Sequence, residues 1–344
     1  MRYNVRIQPS GKEFMVEAGE TVLDAALRQD IALPHGCKGG ACGSCKGRIL
    51  SGTIHYGADQ PSGLSELQTD RGEALLCQAL PSSDLVIEAF ELDAVKGIAV
   101  QRLPCRVSHK QELCHDVQLL KLKLPASKPW RYLAGQYVNI LLRDGQRRGF
   151  SIANAPHNDE FIEVHVRHVP GGQFTHYVFY EMQDKALLRI EGPMGSFFLR
   201  EDSRLPIILV GGGTGFAPLK AILEHAFYVG TRRPIHLFWG VRTQHDLYLH
   251  DLPLAWAREH KHFRYTPVLS DPIEGRAWRG ETGLVTDSVV RHYPDLAGQS
   301  IYMSGPPAMI REGRRRFQKN GIPENQLFFD AFVFAANNRA SAGG

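Results

Sequence analysis

Four cysteines in the first quarter of this 344-residue chain constrain its fold more than any other feature. Cys37, Cys42 and Cys45 lie within nine residues, and 31 residues separate Cys45 from Cys77. No apolar stretch follows a basic start at the N-terminus, so we expect no secretory signal and a cytoplasmic protein. Because disulfides are rare in that compartment, the clustering predicts metal ligation rather than disulfide pairing.

The spacing Cys37-x4-Cys42-x2-Cys45, completed by Cys77, is the plant-type [2Fe–2S] pattern. Thiolates are soft, anionic ligands that suit tetrahedral iron. The five glycines within residues 36–47 allow backbone N–H groups to wrap closely around a negatively charged cluster. The pattern therefore predicts a [2Fe–2S] site on these four cysteines.

A zinc site is the competing interpretation of the same residues. Structural zinc usually takes paired ligands at both ends of the site, so the solitary Cys77 and the four-residue first gap disfavour it. Cys105 and Cys114 have no partners at ligand spacing, and we interpret both as buried small hydrophobic residues. The loop from His35 to Cys45 resembles that of plant-type ferredoxin domains, which implies a β-grasp fold for residues 1–92.

Charge divides the chain near Asp93. Residues 1–92 carry 8 Lys and Arg against 12 Asp and Glu, whereas the rest carries 32 against 24. An acidic module joined to a basic one suits transient docking, although solvated surface without function explains the asymmetry equally. The net charge of +4 is too small to favour nucleic acid, and no run approaches the ~18 apolar residues of a membrane span.

Periodicity predicts three domains and a tail. Residues 1–92 read as a small sheet crossed by one helix that begins at Thr21. Residues 102–202 read mostly as strands with one helix, which predicts an antiparallel barrel or sandwich. Residues 203–334 alternate strand and helix, which predicts a parallel α/β sheet, and residues 335–344 form a small polar tail that we expect to be mobile. The predicted strands of the last two domains are 117–124, 137–142, 161–169, 187–190, 207–210, 235–239, 263–269 and 301–304, and their predicted helices are 174–182 and 217–229.

A flavin site is predicted at Arg-Gly-Phe-Ser, residues 148–151. Arg148 can bind phosphate through its guanidinium, Phe150 can stack on an isoalloxazine ring, and Ser151 can offer its hydroxyl to flavin N5. The sequence resembles the Arg-x-Tyr-Ser motif of the ferredoxin–NAD(P) reductase superfamily, with Phe150 in place of tyrosine.

Two glycine turns match the same superfamily. Gly171 and Gly172, followed by Thr175, precede the one helix predicted within residues 102–202, whose N–H groups can hold the flavin pyrophosphate. Gly-Pro-Met-Gly-Ser-Phe at 192–197 resembles the turn that ends the superfamily's barrel. Similarity to relatives with an N-terminal ferredoxin domain implies FAD rather than FMN.

A second nucleotide site is predicted where strand 207–210 runs into Gly-Gly-Gly-Thr-Gly. A glycine turn between a parallel strand and a helix presents N–H groups to a pyrophosphate, which assigns this role to Gly213, Thr214 and Gly215. Pro218 suits the first turn of the following helix. Resemblance to NADH-using relatives favours NADH, while Arg242, a candidate for contact with a 2′-phosphate, leaves NADPH open.

The superfamily resemblance assigns two further segments to the contact between nicotinamide and flavin. Ser304, Gly305 and Pro306 resemble its Cys-Gly-Pro-Pro element, with serine in place of cysteine, so we expect an altered rate rather than lost function. Asp330 and Phe332 resemble the terminal acid and aromatic residue that face the flavin. A buried final strand explains these two residues about equally well.

The order of the three domains indicates a route for electrons. A hydride donor delivers two electrons together, a [2Fe–2S] cluster accepts one at a time, and a flavin converts between them. The whole chain resembles NADH-dependent iron–sulfur flavoprotein reductases, most of all the CDP-6-deoxy-Δ3,4-glucoseen reductase-like proteins, which implies a partner dehydrase as electron acceptor. A reductase component of an aromatic-ring or phenol-type oxygenase is the alternative, and a redox-sensing protein with slow turnover, motivated by Ser304, is the alternative of another class.

Overall fold

The computed structural model describes residues 1–57, 60–128, 130–272, 278 and 280–333. It divides into two compact units, Met1–Ala99 and Val100–Gly344. The predicted tail, residues 335–344, lies outside the described residues. Within the described ranges, no helix combines the length and the apolar character that a membrane crossing requires.

The first unit is a mixed sheet with a helix packed on it. Its sheet has the order β2-β1-β7-β3-β5, in which β1 and β7 are parallel and the other neighbours antiparallel. This is the predicted β-grasp arrangement. The elements are β1 (Arg2–Gln8), β2 (Glu13–Glu17), α1 (Val22–Arg28), β3 (Lys46–Ser51), β4 (Ile54–His55), α2 (Glu66–Asp70), β5 (Glu73–Leu75), β6 (Leu80–Pro81) and β7 (Leu85–Glu88).

Helix α1 begins where the sequence predicts it. The Thr21 hydroxyl accepts a hydrogen bond from the Asp24 N–H at 3.2 Å and caps the first turn. Leu23 and Ala26 are fully buried against the apolar face of the sheet. Residues 32–45, which carry three of the clustered cysteines, form neither helix nor strand, as their glycine content predicts.

The second unit starts with an antiparallel barrel. Its strand order is β11-β10-β13-β8-β9-β12, and a bridge between Ile152 and Val164 joins the two outer strands, which closes the sheet. The barrel prediction is confirmed. The elements are β8 (Gln101–Cys114), β9 (Val117–Lys123), β10 (Tyr137–Leu141), β11 (Arg147–Ser151), β12 (Ile162–Arg167), α3 (Gln173–His176), which continues as a π-helical turn over Tyr177–Glu181, and β13 (Leu187–Met194).

Strand β8 is missing from the predicted strands although it is 14 residues long. Leu103, Cys105 and Val107 alternate inward, but none of residues 108–114 is buried. A polar half without apolar alternation carries no strand signal in the sequence. Pairing with β9 along this half is what makes it a strand.

A parallel sheet follows the barrel, as predicted. Its order is β17-β16-β15-β14-β18-β19. The succession of strands reverses direction at β14, so a crevice is expected at the carboxyl ends of β14 and β18. The elements are β14 (Ile207–Gly212), α4 (Phe216–Tyr228), β15 (Ile235–Val241), α5 (Asp251–Glu259), β16 (Phe263–Leu269), β17 (Glu281–Thr282), α6 (Val285–His292), β18 (Ser300–Gly305), α7 (Pro307–Lys319) and β19 (Leu327–Ala331).

A buried ionic network joins the barrel to α4. Lys220 Nζ lies 3.1 Å from Glu163 Oε1 on β12 and 2.8 Å from Glu224 Oε1, and it donates to the Ala153 carbonyl at 3.0 Å. Burial raises the pKa of Glu163, but the hydrogen bond from His165 and the charge of Lys220 outweigh burial and lower that pKa to about 2. The Glu163 carboxylate is therefore ionised at neutral pH, and Lys220 is its cationic partner.

His165 extends this network toward the parallel sheet. Burial lowers its pKa, so the ring is neutral at pH 7. The ring lies 3.0 Å through Nε2 from Glu163 Oε1 and 3.0 Å through Nδ1 from the Tyr248 hydroxyl. A neutral ring satisfies both contacts when Nε2–H donates to the carboxylate and Tyr248 donates to Nδ1.

We predict that Lys220→Met lowers the free energy of unfolding of the second unit by about 3–5 kcal/mol, because it leaves the Glu163 carboxylate buried without a cation. The double variant Glu163→Gln/Lys220→Met should recover part of this loss. Tryptophan fluorescence in urea measures the effect, since all four tryptophans lie beyond residue 100.

Lys123→Met is the matched control. That exposed lysine lies 4.0 Å from Glu160, and its replacement should change the free energy of unfolding by less than about 0.5 kcal/mol. An equal loss in both single variants would contradict a specific role for the buried network.

Candidate functional site

The fold brings the four predicted ligand cysteines together as two interacting pairs. The thiols of Cys37 and Cys42 interact with each other, and those of Cys45 and Cys77 form the second pair. Cys42 also acts electrostatically on both members of the second pair. Residues separated by up to 40 positions thus present their sulfurs to one site, as a two-iron cluster requires.

The loop backbone supports negative charge on these sulfurs. The Gly39 N–H donates to Cys37 Sγ at 3.4 Å, and the Ser44 N–H donates to Cys42 Sγ at 3.4 Å. The thiol of Cys42, followed by backbone N–H groups, lowers the pKa of Cys37 to about 6 against the opposing effect of burial. A Cβ on Gly36 would lie 3.3 Å from Cys42 Sγ, so the loop closes tightly on its sulfurs. These donors and the soft thiolates fit a [2Fe–2S] cluster.

The two remaining cysteines differ from each other. Cys105 is buried as predicted, and burial raises its pKa to about 12. Cys114 is only partly buried, and its thiol donates to Asp116 Oδ1 at 3.4 Å. The prediction of a buried, partnerless Cys114 is therefore wrong, because the turn after β8 places a carboxylate two residues away against the sulfur.

The predicted flavin residues Arg148, Phe150 and Ser151 all lie on β11. The partly buried Arg148 donates to the Arg147 carbonyl at 3.0 Å and to the Gln146 side chain, so its guanidinium stays at the hairpin end. Phe150 packs on Phe174 with ring centroids 5.5 Å apart. The phosphate-binding role of Arg148 and the stacking role of Phe150 remain predictions, and neither side chain is fully buried.

The turn before α3 requires glycine. Gly171 has a φ of +75°, and a Cβ on Gly172 would lie 2.8 Å from Thr175 Oγ1. The Thr175 hydroxyl accepts from the Val169 N–H at 3.2 Å and so ties the turn to the end of β12. The predicted helix 174–182 is confirmed as α3 with its π-helical continuation, whereas pyrophosphate binding by this turn stays a prediction.

The glycine turn after β14 is held by tight backbone packing. A Cβ on Gly215 would meet the Ser304 carbonyl oxygen at 2.0 Å, and Gly213 has a φ of +55°. Trp239 donates from Nε1 to the Gly213 carbonyl at 2.9 Å and stacks on Phe216 with centroids 4.1 Å apart. Thr214 is partly exposed within this turn.

The crevice between β14 and β18 contains the predicted Gly-Pro-Pro element. A Cβ on Gly305 would meet the Gly212 carbonyl at 3.0 Å, so the two strand ends approach closely. Pro306 is exposed and precedes α7. Pro218 lies in the first turn of α4, where its missing N–H costs no helical hydrogen bond.

Asp330 connects the barrel with this crevice. Ser151 Oγ donates to Asp330 Oδ2 at 3.1 Å, although the two residues are 179 positions apart in the sequence. Asp330 pairs with Ser304 in the register of β18 and β19, and Ser304 pairs with Gly211 on β14. Three positions predicted from separate motifs therefore lie together: Ser304 and Asp330 on adjacent strands of the parallel sheet, and Ser151 at the end of β11.

Ser304 is fully buried, and within the described residues its Oγ has no hydrogen-bond partner. A buried hydroxyl without a partner costs about 1–3 kcal/mol, so the position favours a ligand that can supply one. Phe332 follows β19 and donates its N–H to the Gly305 carbonyl at 2.9 Å, which holds it beside the same strand end. These contacts fit a nicotinamide ring at the crevice.

Arg167 is a candidate that the sequence reasoning missed. Its Nη1 lies 3.0 Å from the position a Cβ on Gly213 would occupy, and its Nε donates to Asp116 Oδ2 at 2.7 Å. A guanidinium beside the glycine turn provides positive charge where a pyrophosphate is expected. No local signal marks it, because Arg167 and Gly213 are 46 positions apart in the sequence.

Three family models match successive parts of the chain. The 2Fe-2S iron-sulfur cluster binding domain matches residues 5–82, the oxidoreductase FAD-binding domain matches residues 104–199, and the oxidoreductase NAD-binding domain matches residues 209–315. Their order is the order of sheet, barrel and parallel sheet described above.

Known relatives match along nearly the whole chain. The CDP-6-deoxy-L-threo-D-glycero-4-hexulose-3-dehydrase reductase of Yersinia pestis is 38% identical over 97% of this chain and 99% of its own. The phenol 2-monooxygenase reductase component of Pseudomonas sp. (strain CF600) is 35% identical over 98% and 96%. The crystal structure of the Amycolatopsis cytochrome P450 reductase GcoB is 33% identical with a TM-score of 0.80, covering 97% and 99%.

The grouping of the four cysteine sulfurs, the glycine turns and the similarity over nearly the whole chain all indicate the same family. The chain belongs to the family of NAD(P)H-dependent reductases that combine [2Fe–2S], FAD-binding and NAD-binding domains and pass electrons from NAD(P)H through FAD to the [2Fe–2S] cluster.

Proposed function

We propose that this reductase uses NADH and delivers single electrons to a partner dehydrase that acts on a CDP-linked 6-deoxyhexulose. The 38% identity with the Yersinia pestis dehydrase reductase, over 97% of this chain, is the observation that carries the choice of partner. The assignment to NADH rests on resemblance to NADH-using relatives. Arg242, which is exposed just after β15, is the residue that would contact the 2′-phosphate of NADPH.

We assign the cluster to Cys37, Cys42, Cys45 and Cys77. The hydrogen bonds from the Gly39 and Ser44 N–H groups to two of these sulfurs stabilise the anionic form that iron requires. The same donors hold the loop in place around the ligands.

We assign FAD to the barrel. Arg148 binds phosphate, Phe150 covers the ring, and the backbone of Gly171 and Gly172, secured by Thr175, binds the pyrophosphate. Ser151 is placed to contact the flavin ring, and its hydrogen bond to Asp330 fixes the direction of its hydroxyl. Asp330 acts here as a positioning residue.

We assign the pyridine nucleotide to the crevice at β14 and β18. Gly213, Thr214 and Gly215 bind the pyrophosphate through backbone N–H groups, and Pro218 starts the helix behind them. Gly305 and Pro306 line the other side. FAD held by the barrel would supply the conversion between a hydride from the nicotinamide and single electrons.

Ser304 and Phe332 complete the contact between the two rings. The buried Ser304 Oγ is available to a polar group of the nicotinamide. Phe332 is held beside Gly305 through its backbone. The convergence of Ser151, Asp330 and Ser304 supports hydride transfer at this point of the molecule.

A reductase component of an oxygenase is the second candidate function. The relatives from phenol and terephthalate oxygenase systems are 33–35% identical over 97–99% of this chain, close to the 38% identity of the dehydrase reductase.

Cys45→Ser tests the assigned electron order. The variant should lose cytochrome c reduction with NADH, because the cluster no longer forms, and keep ferricyanide reduction at the flavin. Cluster and flavin absorption, with iron content, verify what each variant contains. Cys105→Ser, a change at a buried cysteine outside the site, is the matched control and should keep both activities. Loss of both activities in a folded, flavin-loaded Cys45→Ser would contradict the order.

Arg148→Ala tests the phosphate assignment. Loss of a guanidinium–phosphate contact, which is worth about 1.5–3 kcal/mol, should weaken FAD binding at least about tenfold. Flavin content after gel filtration and the Kd from FAD titration of the stripped protein measure it. Arg147→Ala, on the adjacent exposed arginine, should retain FAD. Undiminished retention in Arg148→Ala would overturn the assignment.

Reconstitution tests the partner. With a CDP-6-deoxyhexulose 3-dehydrase and its sugar nucleotide, NADH oxidation should be coupled to formation of the reduced sugar. The parallel reaction contains a phenol hydroxylase oxygenase component with phenol. Coupled turnover only in the reaction with phenol would contradict the dehydrase as partner and would assign an oxygenase component instead. Failure of both, with ferricyanide reduction intact, would reject both partners while retaining the reductase.

A further inference from the structure

A group of metal-ligating side chains lies outside the redox sites, at the turn between β8 and β9. Cys114, His115 and Asp116 are consecutive, and their ligand atoms all lie within 4.8 Å of one another. Asp246, in the turn after β15, does not belong to that group but adjoins it, with Oδ1 3.8 Å from His115 Nε2. We call these four residues the hairpin cluster.

The distances in the hairpin cluster approach those of a tetrahedral metal site. Cys114 Sγ lies 3.4 Å from Asp116 Oδ1, and His115 Nε2 lies 3.9 Å from that oxygen. Zn–S bonds of about 2.3 Å and Zn–N or Zn–O bonds of about 2.0–2.1 Å place neighbouring ligands about 3.3–3.5 Å apart. His115 is 64% exposed, so its side chain has room to rotate and shorten the 3.9 Å distance to Asp116 Oδ1.

In Asp116 and Asp246, one carboxylate oxygen accepts a hydrogen bond from a neighbouring residue and the other faces His115. Asp116 Oδ2 accepts from Arg167 Nε at 2.7 Å. Asp246 Oδ2 accepts from the Thr243 N–H at 2.8 Å. The Oδ1 atoms of both residues face His115. Partners that orient ligand oxygens in this way are typical of metal sites.

The ligand types select the metal. Thiolate, imidazole and carboxylate together suit zinc, whereas calcium and magnesium take oxygen ligands. The charges also balance, since one thiolate and two carboxylates face Zn²⁺ and Arg167. The exposed imidazole leaves a route from solvent, while the Asp116 and Asp246 side chains are less than one-fifth exposed.

We propose that the hairpin cluster binds one Zn²⁺ ion through Cys114 Sγ, His115 Nε2 and Asp116 Oδ1, and that Asp246 Oδ1 moves in as the fourth ligand when the ion binds. The ion bridges the barrel hairpin and the turn that follows β15 in the parallel sheet. It is separate from the cysteines of the [2Fe–2S] site and needs no redox step.

Equilibrium dialysis of the cluster- and flavin-loaded protein against buffered Zn²⁺ tests the proposal, with zinc and iron measured by mass spectrometry. One zinc ion per chain should bind with iron content unchanged. Cys114→Ser, His115→Gln and Asp246→Asn should each weaken binding at least tenfold. Cys105→Ser and His109→Gln, on the same strand but outside the cluster, are the matched controls and should bind as the wild type does.

Zinc-edge X-ray absorption gives an independent reading of the ligands. One sulfur near 2.3 Å and three nitrogen or oxygen ligands near 2.0–2.1 Å are expected. Unchanged binding in Cys114→Ser and His115→Gln, or zinc gained only as iron is lost, would overturn the site. Unchanged binding in Asp246→Asn alone would overturn the bridge between barrel and sheet.

Discussion

The ends of β14 and β18 lie too close for side chains, and the candidate nucleotide site depends on this approach. A Cβ on Gly215 would collide with the Ser304 carbonyl at 2.0 Å, and one on Gly305 would press on Gly212. Glycine at these positions lets two backbone turns meet where the order of the parallel strands reverses. Backbone N–H groups are therefore available on one side of the crevice and a buried hydroxyl on the other.

Asp330 extends the crevice into the barrel. It sits beside Ser304 in the sheet and accepts from Ser151 of β11. The buried contact between Lys220 and Glu163 fixes α4 against the barrel one turn beyond the glycine turn. The same helix thus begins at the nucleotide turn and carries the cation that holds the barrel, so the relative placement of the two candidate cofactor sites follows from one element.

Periodicity and spacing predicted most of the elements and the grouping of the cysteines, because those signals are local. Helix α1 follows from Thr21 and its apolar stripe, and the loop follows from its glycines. The polar half of β8 carried no alternation, so pairing with β9 alone reveals it. Contacts between distant residues, such as Arg167 beside Gly213 and His115 beside Asp246, depend on the fold and have no sequence signal.

Ser304 shows how one atom can change the energetics of this crevice without changing its shape. A thiol is a weak hydrogen-bonding group and tolerates burial beside backbone. A hydroxyl at the same place has a stronger donor and acceptor that, within the described residues, nothing satisfies. The missing hydrogen bond raises the free energy of the protein without ligand. A nicotinamide able to pair with it would recover the cost on binding, so the substitution of serine for cysteine favours the occupied site over the empty one.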